Sequence, residues 1–79
     1  MFQIVRLMLD DHGCVAVSRP LQPLYELRED ATAMAEFDCC RLGDDYGYDD
    51  DRDCWWVVDG RGRVHRFEIK QVIDASMAA

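Results

Sequence analysis

Cys54-Trp55-Trp56-Val57-Val58-Asp59-Gly60-Arg61-Gly62-Arg63-Val64-His65-Arg66-Phe67-Glu68-Ile69-Lys70 is the stretch that decides how this chain is read. Two runs rich in aromatic and β-branched residues flank Asp59-Gly60, a strong short-range hairpin signal. A two- or four-residue loop puts Cys54, Trp56 and Val58 on one face with Arg63, His65, Phe67 and Ile69. Trp55 and Val57 then share the other face with Val64, Arg66 and Glu68. A three-residue loop inverts this, because one step of register exchanges the faces. The first arrangement gathers Trp56, Phe67 and Ile69 into a core and predicts Trp55, Val57 and Val64 as an apolar patch outside it.

Upstream of the hairpin, residues 44–53 hold six aspartates and Gly47, a composition that disfavours helix and strand and predicts a loop. Tyr46 and Tyr48 are placed to tuck back onto the sheet. A helix is predicted over 29–42. Glu29 and Asp30 suit its positive end, Arg41 its negative end, and Gly43 a left-handed C-cap. Ala33, Met34, Phe37 and Cys40 recur at helical spacing and predict the buried stripe.

Nearer the N-terminus, residues 2–9 read as an inner strand, broken only by Gln3 and Arg6 on opposite faces. Asp10-Asp11-His12-Gly13 predicts a hairpin turn with Gly13 at positive φ, and Cys14 to Ser18 the return strand. Pro20 and Pro23 remove ladder donors and mark an edge or a bend. Leu24 to Leu27 is either a short strand or an extended lead into the helix. Residues 71–79 predict a frayed tail with Val72 and Ile73 packed. The fold class is therefore α+β: one helix on one face of an antiparallel sheet, in the order β-β-(β)-α-β-β, with four strands, or five if 24–27 pairs.

The chain has 79 residues, enough for one small domain, which buries roughly 60% of its unfolded surface. Apolar content of 49% argues against disorder. No apolar run approaches the ~20 residues of a membrane span, and Met1 to Arg6 lacks a signal-peptide layout, so a cytoplasmic setting is the default. Sixteen acidic against nine basic side chains give a net charge of −7. That disfavours nucleic acid and anionic membranes as partners.

Cys14, Cys39, Cys40 and Cys54 include an adjacent pair and read as free thiols. Asp49, Asp51 and Asp53 imitate the start of a calcium loop. The pattern fails where Cys54 replaces the required glycine and Gly60 the bidentate glutamate. His12, Cys14, Cys39, Cys40, Cys54 and His65 lack the spacings that close a zinc site. Cys54 and His65 fall on one face in the favoured register, but the preceding aspartates oppose a reactive thiolate. No catalytic residue, metal ligand or cofactor is assigned.

The run from Tyr48 to Asp59, with Gly62 to Ile69, resembles small uncharacterised bacterial proteins that carry an acidic Trp-Trp hairpin after a helix. The resemblance covers about half of the chain and implies no activity. The reading that emerges is a protein-interaction module, homodimeric or docking on another protein. Its surface is centred on Trp55, Val57, Val64 and Arg66, with Tyr46, Tyr48, Asp49 and Asp51 as rim. Two alternatives stand beside it: a metal-binding or catalytic protein using Cys54, His65 or the aspartate loop, and an acidic mimic of nucleic acid.

Overall fold

β-Branched and aromatic runs build five strands around a single helix in a computed structural model that describes residues 1–72. The elements are β1 (Phe2–Leu9), β2 (Val15–Pro20), α1 (Arg28–Leu42), β3 (Asp45–Asp49), β4 (Cys54–Val58) and β5 (Val64–Gln71). The strands form one antiparallel sheet in the order β2-β1-β5-β4-β3. The fold is thus α+β, but its order is β-β-α-β-β-β. The extra strand is β3, inside the aspartate-rich segment expected to be a loop. Tyr46 and Tyr48 are good strand formers, and pairing with β4 outweighs the poor propensities of Asp45, Gly47 and Asp49. The 24–27 segment contributes only an isolated bridge, Tyr25 with Phe2. Val72 donates its N–H to the Met1 carbonyl at 2.8 Å, and the expected packing of Ile73 lies outside the described residues.

Both β-hairpins that flank the centre of the sheet close through the same five-residue turn. In Asp10–Cys14, the Gly13 N–H reaches the Asp10 carbonyl and the Asp10 N–H reaches the Cys14 carbonyl. Asp10 Oδ1 also accepts the N–H groups of His12 and Cys14. Asp59–Arg63 repeats each of these bonds, with Asp59 Oδ1 accepting from Arg61 and Arg63. Gly13 and Gly62 occupy the left-handed position at φ 78° and 81°. The aspartate side chain selects this turn by satisfying two loop donors at once.

That turn sets the register against the favoured expectation. Three residues, Gly60 to Gly62, form the loop, so Trp55 pairs with Phe67, Val57 with His65 and Trp56 with Arg66. Trp55 and Val57 therefore lie on the face beneath α1, and Cys54, Trp56 and Val58 on the other. The two indoles do point in opposite directions, but the one expected inside lies on the uncovered face.

The helix packs on β4, β5 and β1 through Ala31, Ala35 and Cys39, against Ile4, Val57 and Phe67. The expected stripe of Met34 and Phe37 faces outward instead, Phe37 being 56% exposed with the Arg41 guanidinium 5.8 Å above its ring. Rings already fill the sheet side of the core, so only small side chains let the helix approach. Burial pushes the Cys39 thiol up to about 12, with Cys40 and Asp38 adding to the effect. Gly43 is extended, not left-handed. It is glycine because a Cβ there would run into the Val58 carbonyl oxygen.

Candidate functional site

The register that carries Trp55 under the helix leaves a second, uncovered face whose side chains fall in cross-strand rows. At the turn end, Val58 pairs with Val64 and Leu9 with Val15. Because Met8 stands opposite His65 in the β1–β5 pairing, these two pairs sit side by side. The next row holds Gly47, Trp56, Arg66, Leu7 and Ser18, and the third Asp49, Cys54, Glu68, Val5 and Pro20. Leu7, Leu9 and Cys54 are buried by their neighbours, Val15 is 52% exposed, and Val5, Trp56, Val58 and Val64 are half-buried. A Cβ on Gly47 would meet the Trp56 ring at 3.1 Å, so the indole lies over the glycine of the edge strand. Arg66 stands between Trp56 and Leu7 as their common cross-strand neighbour. The Glu68 carboxylate takes Lys70 Nζ at 3.2 Å.

The residues expected to form one surface are divided by this geometry. Val64, Arg66 and Asp49 lie on the uncovered face. Trp55, Val57, Tyr46 and Tyr48 lie on the helix side, where Val57 is fully buried and Tyr48 meets Trp55 edge-on at 5.4 Å. A cation–π contact of Trp55 with Arg66 is ruled out, since the two project from opposite faces. Asp51 is exposed in the β3–β4 turn and donates its N–H to Asp49. The uncovered face also carries Trp56, Val58, Val5, Leu7, Leu9 and Val15, which the expected surface does not include. The signal that finds them is the repeated Asp-x-x-Gly, which fixes the loop at three residues and with it the parity of both strands.

Two of the six aspartates in this segment, Asp49 and Asp53, commit their carboxylates to internal bonds. Asp49 takes the Arg52 guanidinium at 3.0 Å and the N–H groups of Asp51 and Arg52, and its carboxyl is held below the usual range chiefly by Arg52. Asp53, in the left-handed region at φ 50°, accepts from the Tyr48 hydroxyl and takes Arg28 at 2.5 Å. Those bonds, Tyr48 first, lower its carboxyl and raise the Tyr48 phenol. Among the described residues no three His, Cys, Asp or Glu side chains converge as a metal site. Cys54 and His65 sit on opposite faces, and burial pushes the Cys54 thiol up against the opposing pull of Arg66. The pairing of these two in catalysis is therefore geometrically excluded.

His65 is 2% exposed and bridges two elements. Its Nε2 lies 2.7 Å from Asp59 Oδ2, and Arg6 approaches Nδ1 with Nη2 at 3.2 Å. Arginine has only donors, so Nδ1 accepts and Nε2 carries the proton donated to Asp59. The relay locks the second turn to β1.

No protein-family model matches the chain, and neither the curated proteins nor the solved structures include a significant match to it. No helix among the described residues is long and apolar enough to cross a membrane.

Proposed function

We propose that this protein is an interaction module that self-associates through the uncovered face of its sheet, centred on Trp56. One observation carries the reading: an apolar row, Val58, Val64, Leu9 and Val15, crosses four strands beside Trp56 on the face opposite the helix. An antiparallel sheet with one solvated face ordinarily turns polar residues to that face. Here Val5, Leu7, Trp56 and Val58 stand in their place. The row itself favours a second copy as the occupant. A two-fold axis lying along it, across the strands, lays Val58, Val64, Leu9 and Val15 of each copy on the same residues of the other and keeps the Arg66 and Glu68 charges of the two copies apart, the self-complementary arrangement of a dimer.

Trp56→Ala is expected to weaken self-association by about 2 kcal/mol, the scale of an interface hot spot. Val64→Arg should abolish it while circular dichroism stays native. Sedimentation velocity over a concentration series reads both. A chain that is monomeric throughout, or a dimer untouched by either change but lost with Phe37→Ala on the outer helix stripe, removes the reading.

A further inference from the structure

The helix covers β4, β5 and β1 and leaves the edge strand β2 beside an open quarter of the same sheet face. Arg6 and Arg19 stand directly opposite each other there, as partners across β1 and β2. Like charges in that position repel, and strands normally place a carboxylate or a neutral residue opposite an arginine. This chain has carboxylates to spare, 16 against nine cations, and uses them elsewhere. Arg28 is paired with Asp53, Arg52 with Asp49 and Lys70 with Glu68. Among the described residues, none is ion-paired with Arg6, Arg19 or Arg41.

Two clefts meet at Arg6. One, of about 230 Å³, is floored by Arg6, Met8, Val17 and Arg19. The other, of about 270 Å³, opens toward the helix, where Arg41, Asp38 and Leu42 form its wall. Arg6 does not swing freely in this space. Its Nε and Nη2 both address His65 Nδ1, and Asp59 fixes the ring from the far side. Among the described residues, the remaining N–H groups of this positioned guanidinium have no hydrogen-bond partner, and Arg6 shares the cleft lining with Arg19. A rigid fork of this kind matches the paired oxygens of a carboxylate or phosphate, and holding it in advance lowers the ordering cost of binding.

We propose that Arg6 and Arg19 bind the oxyanion of a small organic acid or phosphate ester whose carbon portion rests on Met8 and Val17. The oxyanion would neutralise the cross-strand repulsion, which the chain otherwise retains with no internal partner. This site lies on the helix side of the sheet and does not rest on the self-association reading.

The test is a titration of the isotope-labelled full chain, followed at the Arg side-chain Nε–H resonances, with inorganic phosphate, methyl phosphate and succinate as probes at ionic strength held constant with sodium chloride. Saturable shifts at Arg6 and Arg19 are expected. Saturation by phosphate and methyl phosphate alone assigns a phosphate ester, by succinate alone a carboxylate, and by all three a general oxyanion site. Shifts that stay linear and match those with chloride overturn the proposal. Arg19→Gln adds a second readout. It should weaken binding about tenfold or more, as expected for a lost charge-assisted fork, and should raise the ligand-free Tm by relieving repulsion. Unchanged binding in Arg19→Gln, or a lower ligand-free Tm, also overturns it.

Discussion

The carboxylate of Asp59 accepts two backbone N–H groups on one oxygen and the His65 ring on the other. These bonds, the His65 one first and the Arg63 N–H next, hold its carboxyl down to about 2 in the folded chain. An unfolded aspartate titrates near ~3.9, so between these values the unfolded state binds the extra proton. The stability Asp59 contributes is therefore complete above its unfolded value and disappears as pH falls through about 2. Asp59→Asn keeps an acceptor for Arg61 and Arg63 but removes the charge. Urea midpoints should favour the native chain over this variant at pH 6, and the gap should narrow steadily from pH 4 to 2. A gap that is constant across that range would assign the effect to shape instead of charge.

Which face of an element is buried depends on what it meets, and α1 shows this at the scale of one helix. Its larger side chains, Met34 and Phe37, are outside, and Ala31, Ala35 and Cys39 are inside. Ala35→Leu should therefore overpack the contact with Val57 and Phe67 and cost about 1–3 kcal/mol. Phe37→Ala should stay within roughly 0.5 kcal/mol plus the loss of a surface cation–π contact. Chemical denaturation of both variants checks this, and the opposite ranking would restore the outer stripe to the core. Four of the five strands and the helix span were legible in the sequence, because the runs around Trp55 and Phe67 and the capping charges at Glu29 and Arg41 are local signals. Faces were not. The parity of β4 and β5 turns on one loop residue: Asp59-Gly60 is the usual two-residue turn signal, but Gly62 takes the left-handed position. β3 was hidden for a related reason: Asp49 and Asp53 read as solvated charges, whereas their bonds to Arg52, Tyr48 and Arg28 hold the strand end in place. The expected surface follows that parity: Val64, Arg66 and Asp49 lie on the uncovered face, whereas Trp55 goes beneath the helix and Trp56 stands outside.

At the scale of the molecule, the sheet offers two edges and one uncovered face, and the edges are guarded. β3 carries Asp45 and Asp49, and β2 carries Arg19, Pro20 and a bulge at Ala16, the extra residue between Val15 and Val17. Charge, proline and bulges all oppose strand addition. The face carrying Trp56 lacks such devices across its turn-end row. Each copy bears −7, so two copies repel at long range and can associate only through contacts that outweigh that repulsion. Salt shortens the reach of the repulsion to about 10 Å at 0.1 M and leaves apolar contact intact. Self-association through the sheet face should accordingly strengthen as sodium chloride rises from low concentration to physiological strength. An acidic mimic of nucleic acid behaves in the opposite way, since its attraction to a basic protein is itself electrostatic and fades with salt. Sedimentation at two ionic strengths separates these readings: a dimer that dissociates on adding salt would show that charge, not the Val58–Val64 and Trp56 surface, holds it together.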